Sequence, residues 1–281
     1  MPSKGIIIII KIMRKLLLLA VALNLSLLAA RSQDVDTAEL ECLYRLSFLK
    51  DTTGVVTTDD LMVLRMSRKS SIFFSDSSYR LDSLLCSDQG DALRNDIIVN
   101  GAGKYGKRIV SYCILKNFED KQIVHTDNVG GEHYEYQEAL PSFDWQMTDE
   151  TKKIWEYTCQ KAVCDFRGRT YEAWFTAEIP LTDGPWKFNG LPGLILEVYD
   201  VQRHYSFVFV GLRAGGAGIS LLPYIYTKTS REKYLKAYRN FISDPVGFIS
   251  ASSGIEVTFN GSSVRRNRQN NAVKHDTMER F

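Results

Sequence analysis

From Phe143 to Leu212 the chain offers five apolar segments in succession: "FDWQM", "KIWEYTCQKAVCDF", "RTYEAWFTAEI", "LILEVYD" and "HYSFVFVGL". Only turn-forming breaks separate them: Thr148-Asp149-Glu150, Arg167-Gly168-Arg169, and a long break opening on Asp183-Gly184-Pro185. Glycine, proline, aspartate and asparagine favour turns because they supply positive φ, a fixed φ, or a local side-chain hydrogen bond. Parallel neighbours need a crossover of a dozen or more residues, usually a helix, so strands joined this closely pair antiparallel. A doubly wound α/β fold, with its regular alternation of strand and helix, is excluded.

The N-terminal part agrees. Leu40, Cys42, Tyr44, Leu46 and Phe48 alternate with Glu39, Glu41, Arg45 and Ser47, the period-2 pattern of a strand with one buried face. "DLMVLRMS" and "SSIFFSD" read as two more strands, "RIVSYCILKNFEDKQIVHTD" as two strands joined around Glu119-Asp120, and "EHYEYQEAL" as another. "SLLPYIYTK" reads as a late strand. Helices are few. "SSYRLDSLLCSDQGDAL" is one candidate, capped at Ser77 or Ser78. "TSREKYLKAYRNFISDP" is the clearer one, with Ser230 as cap, an apolar stripe of Tyr234, Leu235, Tyr238, Phe241 and Ile242, and Pro245 as stop. The expected fold is mainly β: a curled antiparallel sheet, an open barrel or bowl, with one or two covering helices.

The stretch "GPWKFNGLPGLILEVYD" (184–200) concentrates glycine and proline. A phosphate-cradling loop would lead into a helix N-terminus, whose free amides meet the anion. Here the glycines lead into "LILEVYD", a strand pattern, and neither GxGxxG nor Gly-Lys-Ser/Thr occurs. The stretch is instead expected to be two tight turns. Asn189-Gly190 suits a pair of positive φ values, and Leu191-Pro192-Gly193-Leu194 suits a type II turn. Gly184, Pro185, Gly190, Leu191, Pro192 and Gly193 are thus structural residues.

"MRKLLLLAVALNLSLLAA" begins at Met13 with a basic pair, runs through an apolar core and leaves through Ala29-Ala30, the layout of a secretory signal peptide. Residues 1–30 are read as that leader, with Met13 as natural start, and 31–281 as a single domain. Lys11, Arg14 and Lys15 interrupt the apolar run, so no stable membrane span is expected after cleavage. Arg31 stands where a lipoprotein would need its acylated cysteine. Without residues 1–30, which hold Lys4, Lys11, Arg14 and Lys15 and no acid, the formal charge of +2 becomes −2. That balance gives no reason to expect nucleic-acid binding. After export the five cysteines would meet an oxidising compartment, and an odd count leaves one unpaired within the chain. Cys159 and Cys164 would face opposite sides of a continuous strand; the pairing is open.

The segments "YTCQKA" (157–162), "FRGR" (166–169), "AWFTAEIP" (173–180) and "GPWKFNGLPGLIL" (184–196) resemble the signature region of the GLPGLI family of exported Bacteroidetes proteins. "SSIFFSD" (70–76) is similar to that family's early serine-aromatic segment. The strong match spans about 60 residues, and a motif of such length is specific where a lone glycine pattern is not. The resemblance implies a periplasmic or secreted protein, in a family without an established activity and with no catalytic residues to carry over.

The chemistry-bearing residues form no local constellation. His125, His133, His204 and His275 lie in no recognisable motif, and GxSxG is absent. His125, Glu132, His133, Glu135 and Glu138 are the nearest approach to a metal set but lack HExxH, CxxC or calcium-loop spacing, so neither metal nor cofactor is expected. Cys159 as a nucleophile is the weaker reading beside a buried or bridged cysteine. Arg167 and Arg169, flanking a turn, suit a carboxylate or phosphate, and Trp174 and Trp186 suit an apolar ligand face. The expectation is a non-catalytic binding or assembly protein of the cell envelope, its alternative an envelope hydrolase assembled from several strands. A closed pocket holding a histidine or paired carboxylates of perturbed acidity would favour the hydrolase; an apolar groove would favour binding.

Overall fold

The computed structural model of the protein describes residues 35–49, 57–106, 108–253 and 278–279. The leader-like segment 1–30 and the arginines at 265, 266 and 268 lie outside them. The described elements belong to one compact unit, Asp36–Phe281.

Two antiparallel meanders build a single twelve-stranded sheet. The first runs through β1 (Leu40–Leu49), β2 (Thr57–Met66), β3 (Ser70–Ser75), β4 (Cys113–Asn117), β5 (Gln122–Val129) and β6 (Glu132–Ala139). The second runs through β7 (Gln146–Ile154), β8 (Tyr157–Phe166), β9 (Arg169–Thr176), β10 (Leu194–Asp200) and β11 (Tyr205–Ala214). They join where β1 pairs antiparallel with β11. β12 (Thr227–Lys228) adds two residues parallel to β6, all that forms of the expected late strand. The outermost strands, β12 and β7, do not pair with each other. The sheet is curled and open, as its pattern predicts.

Alternation decides what each strand buries. Cys42, Tyr44 and Leu46 of β1 join Met62 and Leu64 of β2, Phe73 of β3 and Ile114 of β4 in the principal core. Leu43, Val63, Ile72 and Phe74 point to the other face and pack with Ala38 and Ile219. A one-residue slip between Leu43 and Tyr44 against β11 is a β-bulge, which bends the strand and strengthens its twist.

Four helices are described, α1 (Asp76–Leu85), α2 (Gly90–Asn100), α3 (Arg231–Ser243) and α4 (Pro245–Ser253), where one or two were expected. The α1 cap is Ser75, whose hydroxyl accepts from the Ser78 N–H, two or three residues before the expected position. α3 starts at its expected cap, Ser230. Pro245 ends α3 and also opens α4, because proline at a first helical position loses no hydrogen bond. Tyr234 of α3 packs on Val129 and Tyr136, closing α3 over β5 and β6.

One local expectation fails. Thr148-Asp149-Glu150 is not a turn but lies inside β7, where the register against β8 slips between Met147 and Thr151. The reversal comes at Trp155-Glu156, with Trp155 at φ 53, a left-handed position that no glycine announces. Cys159 and Cys164 do fall on opposite faces of β8, which keeps unbroken register against β9, and both are buried there. All five cysteines are free thiols. Arg167-Gly168 does turn as expected, at φ 46 and 77, a two-residue hairpin loop closed by Phe166 opposite Arg169.

The glycine-rich stretch is not a surface hairpin. Between β9 and β10 the chain dives into the principal core, burying Trp186, Lys187, Phe188 and Leu191. The Lys116 ammonium, fully buried on β4, holds it there. It donates to the Asp183 carboxylate, to the Gly184 carbonyl (2.7 Å) and to the Phe188 carbonyl (3.1 Å). The Trp145 indole N–H adds a bond to the Asn189 carbonyl (2.8 Å). The expected turn types are corrected. Gly190 has positive φ (92°) but Asn189 does not, so no type I′ pair forms. Gly193 sits at φ 140, and its N–H bonds the Leu191 carbonyl two residues back (2.8 Å), a tighter reversal than a type II turn. Glycine is still required there, because a Cβ would lie 2.0 Å from the Thr176 carbonyl oxygen.

Candidate functional site

A cavity of about 180 Å³ opens between the concave face of the sheet, α3 and the buried loop. Strand alternation puts His125 and Asp127 of β5 and Tyr136 of β6 on its floor, with His125 directly opposite Tyr136 in the ladder. Tyr112 precedes β4, Leu46 and Phe48 end β1, Tyr234 and Tyr238 descend from α3, and Trp186 and Lys187 come from the loop. A cavity near 150 Å³ accepts a benzene-sized molecule, so this one takes a single ring or a short aliphatic group.

Two buried polar groups face it without a hydrogen-bond partner. Both ring nitrogens of His125 and the Tyr112 hydroxyl have none among the described residues. The imidazole is stacked between Tyr112 (5.7 Å between centroids) and Tyr136 (4.7 Å), with Tyr234 tilted against it. Burial, helped by the positive charge of Lys187, pushes the His125 pKa well below its usual value, so the ring is neutral at pH 7. Neutral imidazole offers one donor and one acceptor. Burial likewise raises the Tyr112 pKa, keeping it a phenol. Asp127 is better satisfied: it accepts from the Ser111 hydroxyl (2.6 Å) and the Tyr234 hydroxyl (2.7 Å). Its pKa is nevertheless raised, because burial outweighs those bonds.

One end of the cavity is ionic. The Lys187 ammonium, on a side chain 1% exposed, donates to Glu138 of β6 (2.6 Å), Glu279 (2.6 Å) and the Tyr136 hydroxyl (3.2 Å). Arg167 from the β8–β9 hairpin forks onto Glu138 (2.7 Å) and Glu279. Arg231 of α3 places Nε 3.0 Å from Glu279, with Nη2 closing a second bond. Burial would raise the Glu279 pKa, but Lys187, Arg231 and Arg167 together outweigh it and hold the carboxyl at about 2.

The sequence-read candidates divide. Trp186 lines this cavity, and Arg167 reaches it through its bond to Glu279. Arg169 does not: it is buried against Asp200 (2.7 Å) and beneath the Tyr205 ring. Trp174 lies in the core, its N–H on the Tyr199 hydroxyl (3.2 Å) and its face under Lys152. Gly184, Pro185, Gly190, Leu191, Pro192 and Gly193 shape the loop that delivers Trp186 and Lys187. The loose metal set is split by alternation, with His125 and Glu138 on the concave face and His133 on the other, stacked on Tyr224. Among the described residues no group of three His, Cys, Asp or Glu gathers as metal ligands. Burial holds three of the thiols protonated, Cys159 at about 11 and Cys113 and Cys164 at about 12, which leaves them little thiolate for nucleophilic work. Sequence reading missed Tyr112, Lys187, Arg231 and Glu279, which come from four separate segments. Their only local signal is a lysine between two aromatics at 186–188.

Residues 166–197 match a family described as "Protein of unknown function (Porph_ging)", a span holding the β8–β9 turn, β9, the buried loop and the start of β10. No curated protein matches the sequence. Thirteen solved chains do. One is PNGF-II in a P21 crystal, 15% identical, with a TM-score of 0.51, covering 71% of this chain and 32% of that one. Another is PNGF-II in a C2 crystal, also 15% identical, with a TM-score of 0.47, covering 72% and 33%. The chain therefore spans about a third of the length of these structures, and at such identity the first likeness is one of fold. No helix among the described residues is long and apolar enough to cross a membrane.

Proposed function

We propose that this is an exported, non-catalytic binding protein of the bacterial cell envelope, of the GLPGLI kind, whose ligand enters the cavity over His125. The carrying observation is the pair of buried groups, His125 and the Tyr112 hydroxyl, aimed unpartnered into an aromatic-walled space. An unpaired buried polar group costs about 1–3 kcal/mol, a cost that a ligand with one polar atom and a small apolar body would relieve. The leader-like N-terminus carries the export proposal, since five unbridged thiols make no demand for an oxidising compartment.

The hydrolase reading has one observation in its favour: the cavity holds a histidine and a carboxyl whose pKa values are both displaced by burial. Against it, among the described residues no nucleophile lies within hydrogen-bond reach of His125, and no carboxylate or carbonyl orients its ring. Ser111, a hydroxyl on the same cavity wall, donates to Asp127 instead. Native mass spectrometry of protein purified from its own cells tests the proposal. A retained small ligand, lost in a Tyr112→Phe/His125→Leu variant, is expected. No ligand, together with turnover in a broad hydrolase screen, overturns it. Fractionation that leaves the protein in the cytoplasm would overturn export.

A further inference from the structure

The ionic end of the cavity is a mismatched cluster. Arg167, Lys187 and Arg231 supply three positive charges, while the sheet, hairpin and helix that frame them supply one carboxylate, Glu138. The second carboxylate, Glu279, belongs to no element of the fold. Without it the described residues of the cluster carry +2 around an ammonium withdrawn from water, and excess buried charge is strongly unfavourable. The framework thus demands an anion from outside itself.

Glu279 does not come alone. The Met278 main-chain carbonyl accepts from the Tyr171 hydroxyl (2.6 Å), and its side chain packs into the principal core at the cavity wall. A main-chain hydrogen bond, an apolar anchor and a carboxylate on clustered cations are the three contacts by which proteins hold short acidic peptides. A bare phosphate or acetate would use only the third.

Resting on the binding reading above, we propose that this end of the cavity is a receptor for an acidic peptide segment of a partner protein, an apolar residue followed by a carboxylate side chain. Residues 278–279 are the in-chain occupant that such a segment displaces. The carboxylate neutralises Lys187, the apolar side chain fills the mouth of the cavity, and Tyr171 reads the backbone between them.

The test uses the full-length chain and a fluorescent peptide, Asp-Thr-Met-Glu-Arg-Phe, copied from 276–281. Saturable binding is expected, at least about tenfold tighter to Glu279→Gln than to wild type, because the internal competitor is weakened. A peptide with glutamine for glutamate should bind at least about tenfold more weakly, the loss of one charge-assisted bond. Should Glu279→Gln fail to fold by circular dichroism, Met278→Ala keeps every charge and should admit the peptide in the same way. Absence of saturable binding to any folded form, or binding indifferent to the glutamate, overturns the proposal. So does inorganic phosphate competing as well as the peptide at equal concentration, which would make this a plain anion site. Phenol, read by saturation-transfer NMR, probes the aromatic part alone. Phenol binding without peptide binding sinks this inference and leaves the cavity reading standing; if neither binds, both fall.

Discussion

Replacing Lys116 by methionine removes the one charge that pins the buried loop and leaves side-chain volume nearly unchanged, so no large cavity confuses the result. The ammonium is fully buried and serves three acceptors: the Asp183 carboxylate and the carbonyls of Gly184 and Phe188. After the substitution Asp183 keeps only the Gly184 N–H at 2.8 Å, its Oδ2 already having no partner, and both carbonyls lose a donor. Removing one member of a buried ion pair costs about 3–5 kcal/mol. Each stranded carbonyl adds to that, but relaxation makes the terms less than additive, so about 4–5 kcal/mol is the working figure. That is about a quarter or more of the roughly 5–15 kcal/mol that hold a typical domain together. Urea unfolding followed by tryptophan fluorescence suits the measurement, since Trp186 lies in the pinned loop. The double variant Lys116→Met/Asp183→Leu removes both charges and should be more stable than Lys116→Met alone, giving a coupling of at least about 2 kcal/mol. A single-variant loss below about 1 kcal/mol, or strict additivity of the two changes, would refute the pin.

Three other outcomes follow from the same geometry. Glu279, held at about 2 when folded against a usual 4.5, adds stability above pH 4.5 that is lost as pH falls toward 2. Wild type should lose on the order of 3 kcal/mol more than Glu279→Gln between pH 6 and pH 2, read from urea midpoints; parallel curves would show that the carboxylate is not so held. His125, whose folded pKa lies well below its usual 6.5, binds fewer protons folded than unfolded, so its contribution is intact above 6.5 and erodes as pH falls below it. Thermal unfolding of His125→Phe should therefore be less sensitive than wild type between pH 7 and pH 5, and equal sensitivity would remove the neutral histidine. Gly193→Ala drives a Cβ to 2.0 Å from backbone and should give no folded protein, whereas Gly190→Ala, with nothing nearer than Trp145 at 3.9 Å, should cost only about 1–3 kcal/mol for its positive φ. Comparable soluble yields of the two would contradict the close approach.

The sheet was legible because period-2 alternation is a property of single strands: Leu40 to Phe48 announces β1 without help from any other segment. Ser230 and the Tyr234–Tyr238 stripe announce α3 for the same reason. Local signals failed where the deciding contact was distant. Thr148-Asp149-Glu150 has turn chemistry, yet β8 pairs on either side of it and makes it a bulge. Asn189-Gly190 has hairpin chemistry, yet Lys116 from β4 draws the loop inward before a hairpin can form. The cavity suffered most, since Tyr112, Lys187, Arg231 and Glu279 have no mutual spacing to read. Arg167 and Trp186 were found because a turn and a run of aromatics mark them locally. Arg169, two residues from Arg167, shows the limit of that signal, because alternation and Asp200 decide its fate.

The seam between the two meanders governs the order in which this chain can be completed. β1 lies mid-sheet, with β2 on one side and β11, more than 150 residues later, on the other. A chain emerging from its N-terminus can close β1 through β6 by successive hairpins while one side of β1 still presents unpaired N–H and C=O groups. β1 also carries the apolar Leu40, Cys42, Tyr44 and Leu46 on one face, and an open edge on an apolar strand is a template for unwanted pairing. Glu41, bonded to Arg65 on β2 and to Arg213 on β11, is where both halves meet on one charge. Long-range pairings of this kind close late and slowly. Arg213 has to emerge before the middle of the sheet is safe, so a chain that folds as it emerges spends most of that time with β1 half covered.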